Sequence, residues 1–462
     1  MQKNLLSSTI GMQTQLTTKG LQIMNISKAD PATSGRRWFS STRIKVFVGL
    51  LLLSGVGLIF LAQSKVGQLL WTLANAGKPS YKFNQEVQRL KDEGEPTSFD
   101  DLWLEPLPDS ENASFHYLEA VWLLVDPADP EYDRKHKLHY ATEISKRLGK
   151  PDLCVAREGI DQLVLDALDR AASSQQSKPL TKSERYFLQS YILFSPIKFE
   201  QERFSTAFKQ QRYEDATEIA LRQLHFVPIL GNELGEGPDL RAYRTASLVI
   251  ENLNRVIRTS KLSDDLLDRI DAKLTRHDAS PYLTRKAKEA RIEYIEEIRA
   301  KDGVRLNWAF AGQEKMLQIQ AHQISLASQP YFQVKDQFYL HTFSNPPSAS
   351  DINFRDYENT FVFRHARWNY LVSKTRCLRC LIAIEKHKSL HGIEPARIED
   401  LGLPAESLMA TIADGPITIE KKADGWWVVW QWDESSDVRS ILSLYGERTG
   451  NPGCVPVPLD TD

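Results

Sequence analysis

Cysteine is scarce in this chain, with 4 residues among 462. Four thiols allow two disulfides at most, which excludes the small secreted folds that disulfides hold together. Neither sign of charge dominates, because 58 Lys and Arg residues are interspersed with 60 Asp and Glu residues for a net charge of −2. Without a basic stripe, no nucleic-acid partner is expected.

Catalytic signatures are missing as well. The sequence contains no Gly-x-Ser-x-Gly elbow, no glycine-rich phosphate loop and no His-Glu-x-x-His metal motif. No cofactor is therefore expected, and the chain reads as an interaction or structural protein rather than an enzyme. The alternative is an envelope enzyme, for instance a hydrolase, with a site between a helical region and the C-terminal strands.

Long hydrophobic runs are absent with one exception. Residues 46–62 carry no charged side chain. As a helix they would rise about 25 Å, and their flanks can make up the rest of a ~30 Å hydrocarbon core. We predict a single transmembrane helix over residues 44–63, which contacts the lipid bilayer through 46–62. A cleaved signal peptide is the alternative, but Phe60 stands where such a site needs a small residue.

The charges on either side orient this helix. Residues 1–45 hold seven basic residues against one acid, whereas residues 63–95 hold five basic and four acidic residues. Positive charge stays in the cytoplasm, so residues 1–43 are expected to form a disordered cytoplasmic tail. The bulk of the chain would then lie in the periplasm, held to a bacterial inner membrane as by a signal-anchor. Other envelope proteins are its candidate partners there.

The chain after the anchor divides by pattern. Residues 64–109 are rich in proline and predict a stalk or linker with one short helix near residues 83–93. Residues 110–326 repeat apolar residues at spacings of three and four, which is typical of amphipathic helices. Their short connections predict an array of stacked helical hairpins. Residues 327–356 contain several prolines and predict a loop.

The last region, residues 357–462, combines a long helix with strands. The helix is predicted over residues 357–390. Strands are predicted at 417–419, 426–432 and 441–445, as an antiparallel meander that packs on the helix. The predicted fold class is therefore mainly α, with a small C-terminal sheet.

Three stretches resemble a group of uncharacterised, membrane-anchored bacterial proteins that is well represented in planctomycetes. They are the opening motif Glu111–Ala120, the middle segments Tyr213–Phe226, Leu262–Leu267 and Glu289–Arg291, and the closing element Ile382–Leu401. The closing element, a helix that leads through Gly392 and Pro395 into a small sheet, also resembles type II secretion pseudopilins. The pseudopilin processing site is absent, so a pilin role is not expected. The resemblance implies no known activity and assigns no functional residues.

Four metal-ligating side chains share one face of the long predicted helix: Cys377, Cys380, His387 and His391. They span fourteen residues, or about 21 Å of helix, so one ion cannot bind both pairs. Packing of the two cysteines as small apolar side chains is the simpler interpretation. No metal site is therefore expected, and these four residues are the candidates if one exists.

Tryptophan is concentrated near the C-terminus. Trp426, Trp427, Trp430 and Trp432 form a candidate aromatic platform for a carbohydrate or a peptide. Successive side chains of a strand point to opposite faces, so at least two of the four are expected to pack inside.

A row of glutamates marks a helix in the middle of the chain. Glu289, Glu293, Glu296 and Glu297 are interleaved with Lys288, Arg291 and Arg299. Opposite charges three or four residues apart on a helix pair with each other. The row therefore predicts an ordinary ion-paired surface rather than a catalytic pair of carboxylates.

Overall fold

The structure is a computed structural model. It describes residues 81–102, 107–124, 159–174, 177, 195–232, 236–299, 313–338, 349–422, 425–430 and 454–456. Across these ranges the chain is mainly helical with a small antiparallel sheet, which confirms the predicted class. No helix in these ranges is both long and apolar enough to cross a membrane. The predicted span at 46–62 and the tail before it lie outside the described residues.

The helices are numbered here in chain order. They are α1 (Tyr81–Asp92), α2 (Phe99–Leu102), α3 (Ala113–Leu124), α4 (Ile160–Ser173), α5 (Ser195–Lys209), α6 (Tyr213–Asn232), α7 (Glu236–Thr259), α8 (Asp264–Asp278), α9 (Tyr282–Arg299), α10 (Gln313–Leu326), α11 (Tyr331–Val334) and α12 (Ala349–His391). Helices near in sequence pack together: α3 with α4, α6 with α5 and α7, and α9 with α10. The long helix α12 packs against α7 and α8.

Local chemistry sets several helix ends. The side chain of Ser263 caps α8 by accepting a hydrogen bond from the Leu266 amide at 3.3 Å. Helix α12 stops at Gly392, whose φ of +72° is the left-handed conformation that glycine adopts at low cost. The Gly392 amide donates to the Lys388 carbonyl at 2.9 Å and so satisfies one of the last carbonyls of the helix.

Most buried apolar side chains belong to one main core. It joins α3 to α8, the first half of α9, α11, α12 and the sheet. Tyr117, Phe204, Leu253 and Leu371 are among its fully buried members. Because the helical array and the C-terminal sheet share this core, α12 links them into one folded body.

A separate small core lies between α1, α9 and α10. Its members are Phe83, Val87, Leu90, Tyr294, Ile295, Ile298, Met316, Leu317 and Ile319. The rings of Phe83 and Tyr294 meet edge to face at 6.2 Å. The short helix predicted near residues 83–93 is present as α1, but residues 81–102 pack on the helical body, whereas the sequence predicts a stalk or linker there. The apolar positions of α1 recur at spacings of four and three, which gives the helix one face to bury.

The long helix is longer than its sequence pattern predicts. It begins at Ala349, eight residues before the predicted start, so the region predicted as a loop contributes its first turns. Ser350, Asp351 and Asn353 have weak helix propensity, which hid this extension. Helix α11 and a 3₁₀ turn at Lys335–Gln337 also lie within that region.

The sheet has three antiparallel strands in the order β1 (Ile417–Lys422), β2 (Gly425–Trp430) and β3 (Cys454–Pro456). Ile417 lies opposite Trp430, and Val428 lies opposite Val455. Strands β1 and β2 match the predicted hairpin. The strand predicted at 441–445 lies outside the described residues, and the third position is taken by β3.

Candidate functional site

The predicted metal ligands separate into two environments. Cys377 and Cys380 of α12 have fully buried thiols. Burial raises the pKa of the Cys380 thiol to about 12, so this residue is not a thiolate at neutral pH. His387 and His391 lie about 10 Å further along the helix axis, counted from Cys380 to His387, with His391 exposed. In the described parts of the chain, no three His, Cys, Asp or Glu side chains converge on a metal site.

One of the four tryptophans of the predicted aromatic platform, Trp430, is buried. This side chain is 3% exposed, and its ring meets Tyr370 of α12 edge to face at 6.1 Å. Trp430 therefore packs the sheet against the long helix and is not available to a ligand at the surface. Trp427 is half-buried. The Trp426 side chain and Trp432 lie outside the described residues, so the platform stays a prediction for them.

The glutamate row of α9 is not simply a surface. Glu289 is 2% exposed and accepts a hydrogen bond from the Lys286 ammonium at 2.6 Å. Arg291 is equally buried and donates to Glu95 at 2.7 Å. The surface prediction is wrong for Glu289 because α9 is covered by other helices, which the charge pattern alone does not show.

A buried row of polar side chains on α12, which we call the polar ladder, was not predicted from the sequence; it is formed by His365, Asn369 and Ser373. The His365 Nε2–H donates to the Leu326 carbonyl at 3.2 Å. The Nδ1 of the same ring accepts from the side-chain amide Nδ2 of Asn369 at 3.1 Å. Ser373 Oγ accepts from the Thr411 amide at 2.9 Å. The spacing of four residues within an apolar run is the signal that could have revealed it. All three side chains are hydrogen-bonded, so the ladder serves to hold α12 against the neighbouring segments.

A surface groove of about 650 Å³ opens between α4, α5 and α6 and is the best candidate for a binding site. We call it the α4–α6 groove. Its lining combines the apolar Phe199, Ala207 and Ile219 with charged side chains of both signs. Another groove, of about 570 Å³ between α1 and α10, is lined only by polar and charged residues and has no apolar side chain in its lining.

A buried carboxyl group organises the wall of the α4–α6 groove. The side chain of Glu200 is 0% exposed, and its Oε1 lies 3.1 Å from Arg203 Nη1 and 3.4 Å from Arg222 Nε. Burial raises the pKa of Glu200, although both arginines oppose this. Arg222 also pairs with Asp169 of α4. Glu200 thus holds two guanidinium groups of the wall in place.

The rim of the groove carries more negative than positive charge. Arg212 pairs with Asp215 at 2.6 Å, and Glu218 pairs with Arg269 of α8. Asp161 and Glu202 also line the groove and make no ion pair within the described residues. The lining therefore has four carboxyl groups (Asp161, Glu202, Asp215 and Glu218) and three guanidinium groups (Arg203, Arg212 and Arg222), which leaves an excess of negative charge.

Comparison of the chain with known protein families, curated proteins and solved structures finds no significant match. The resemblance to anchored planctomycete proteins therefore stays an expectation from short motifs.

Proposed function

We propose that the chain is a membrane-anchored interaction or structural protein without a chemical step of its own. Residues 46–62 hold it in a bacterial inner membrane, the basic tail over 1–43 stays in the cytoplasm, and the helical body lies outside. Its binding surface is the α4–α6 groove, and the occupant is a basic, extended segment of another envelope protein.

Charge complementarity supports this occupant. Asp161 and Glu202 are exposed, and the arginines of the groove already have carboxylate partners. A cationic side chain of a partner would therefore meet uncompensated negative charge, which steers association and selects the partner. Phe199 and Ile219 provide apolar contact for a side chain between two basic residues.

Binding is better supported than catalysis. Burial raises the pKa of two carboxyl groups, Glu200 and Asp278, as a general acid would need, but Glu200 is fully buried beneath two arginines and Asp278 is paired with Arg376 and Arg379. A general acid must lie within hydrogen-bond reach of its substrate. The enzyme alternative places its site between the helices and the sheet, where Tyr370 and Trp430 are packed together.

A peptide-binding measurement tests the groove. The probe is a fluorescent twelve-residue peptide of alternating Lys and Leu, titrated into the purified full chain in detergent, with an alternating Glu and Leu peptide as the control ligand. We expect the basic peptide to bind and to weaken with salt. Glu202→Gln and Asp161→Asn should each weaken it by about two- to fivefold, the range expected for an exposed charge pair.

The matched control is Glu399→Gln, which removes an exposed carboxylate far along the chain in the 3₁₀ turn Ile398–Leu401. This variant should bind the basic peptide as the parent does. Equal binding of the two peptides, or equal effects of the groove and control variants, would contradict the proposed occupant.

The topology has its own test. A reporter that is active only in the periplasm, fused after residue 462, should be active, and the protein should fractionate with membranes. Removing residues 46–62 should release the chain from the membrane fraction. Activity from a fusion at residue 1 instead would overturn the orientation.

A further inference from the structure

The C-terminal end of α12 presents two histidines on consecutive turns. His387 is half-buried and His391 is exposed, and their ring centroids are 4.4 Å apart at an interplanar angle of 47°. Within the described residues neither imidazole has a hydrogen-bond partner. By contrast, the ring of His322 on α10 bonds the Gln337 carbonyl at 2.7 Å, and that of His365 is bonded at both nitrogens.

This spacing suits a chelate. Residues four apart lie one above the other on a helix, so both rings leave the same face. Two imidazole nitrogens bound to one tetrahedral Zn²⁺ at about 2.0–2.1 Å would stand roughly 3.3 Å from each other. The ring centroids are 4.4 Å apart, so the two rings are close enough for one nitrogen of each to reach the same ion after a change of side-chain torsion angles.

The charges around the pair do not exclude a cation. Lys388, on the same turn, lies 3.8 Å from Glu394, and Lys386 pairs with Asp268 of α8. Each nearby ammonium group therefore has a carboxylate partner. The last carbonyls of α12 also give this end of the helix a partial negative charge, which favours a bound cation.

We propose that His387 and His391 form a two-nitrogen site for a late first-row divalent cation, Zn²⁺, Ni²⁺ or Cu²⁺. Imidazole is a preferred ligand of these ions, and water would fill the remaining coordination positions. The ion joins two consecutive turns and so stabilises the end of α12 against fraying. The buried cysteines take no part. This site is independent of the α4–α6 groove, so either proposal can fail alone.

Calorimetric titration of the full chain in detergent with ZnCl₂ or NiCl₂ tests the site. We expect one ion per chain and no binding of MgCl₂, because Mg²⁺ prefers oxygen ligands. His387→Gln and His391→Gln should each weaken binding by about tenfold or more, since either one turns a chelate into a single contact. His322→Gln is the matched control and should leave the affinity unchanged.

Hydrogen exchange gives a second readout that locates the ion. Zn²⁺ should slow exchange of the Gly392 amide, which is bonded to the Lys388 carbonyl, in the parent and in His322→Gln, but in neither chelate variant. Unchanged affinity in a variant that combines His387→Gln with His391→Gln would mean that ions bind elsewhere and would overturn the site. One ion per two chains, or a dissociation constant above about 1 mM, would overturn it as well.

Discussion

The main core and the small core of the helical body are held together differently. The main core joins helices from α3 to α12 with the sheet, and a polar ladder that is bonded at every rung ties it to the segment around Thr411. The small core has nine side chains and holds α1 against α9 and α10. Polar contacts near it are the pairs of Glu95 with Arg291 and Lys288 and the exposed pair of Lys82 on α1 with Glu314 on α10.

Helix α9 belongs to both. Tyr282, Leu283 and Ala287 in its first half contribute to the main core, while Tyr294 and Ile295 in its second half contribute to the small one. We therefore expect α1, the first described helix after the predicted anchor, to detach from the body at lower cost than the helices of the main core. Local opening of elements with few buried contacts is a general property of proteins.

The largest change in stability is expected when a leucine of either core is shortened to alanine. Leu371 and Leu317 are both 0% exposed, the first in the main core and the second in the small core. Leu371→Ala should lower the free energy of global unfolding by about 2–5 kcal/mol, as cavities in cores do. Leu317→Ala should act mainly on α1, speeding amide exchange there.

Urea unfolding followed by circular dichroism, with residue-resolved hydrogen exchange, separates these outcomes. If Leu317→Ala speeds exchange equally in α1 and in α7, the two cores unfold as one unit and are not independently stable.

The second-largest effect is the loss of stability of the main core at acidic pH. It contains two histidines, His277 and His365, whose pKa values burial lowers from 6.5 to about 4. A histidine with a lowered pKa is neutral in the folded protein. Its contribution to the free energy of unfolding is therefore fully present above pH 6.5 and is lost as the pH falls towards 4. At pH 5 each should cost about 2 kcal/mol relative to pH 7.5.

His277→Phe gives the control for this prediction. The His277 ring lies 5.3 Å from the Trp368 ring, and phenylalanine can keep this contact without titrating. Thermal unfolding between pH 7.5 and pH 5 should show a smaller loss of stability in this variant than in the parent. An equal loss would mean that His277 does not carry the acid response.

The smallest effect belongs to the link at Glu95. Burial alone would raise the pKa of this carboxyl, but hydrogen bonds from Arg291 and Lys288 hold it below its ordinary value of 4.5. Its contribution is therefore present above pH 4.5 and is lost as the pH falls further. Because Glu95 is partly exposed, Glu95→Gln should cost at most about 1 kcal/mol at neutral pH.

Amide exchange in α1 at pH 7 measures this cost. Glu93→Gln is the control, because Glu93 pairs with Arg89 inside α1 and does not reach α9. If both variants speed exchange equally, the effect comes from the stability of α1 itself rather than from its link to α9.

Much of the fold follows from local pattern. The helical spacing, the hairpin of β1 and β2, and the end of the long helix at Gly392 all depend on residues near in sequence. The first turns of α12 are not predicted, because Ser350, Asp351 and Asn353 have weak helix propensity. They are helical nonetheless, since a helix that is already formed gains one backbone hydrogen bond for each residue by which it extends.

Little of the candidate site was foreseen, and the reason is physical. Glu200 is one of 60 acidic residues, and nothing in its neighbours reveals that it is fully buried between Arg203 and Arg222. Arg222 comes from the following helix, so the cluster exists only after α5 and α6 have packed. The partners of His365 and Ser373 are likewise far away in the chain: His365 bonds the Leu326 carbonyl, and Ser373 accepts from the Thr411 backbone amide.

The sequence by itself determined the mainly helical class, the apolar run at 46–62 and the single helix face shared by His387 and His391, because each is a matter of local spacing or composition. Tertiary structure alone decided that Glu289 and Trp430 are inside, that α1 packs on α9, and that the groove carries an excess of carboxylates. Burial and net local charge are relations between segments far apart in the chain, and only packing brings those segments together.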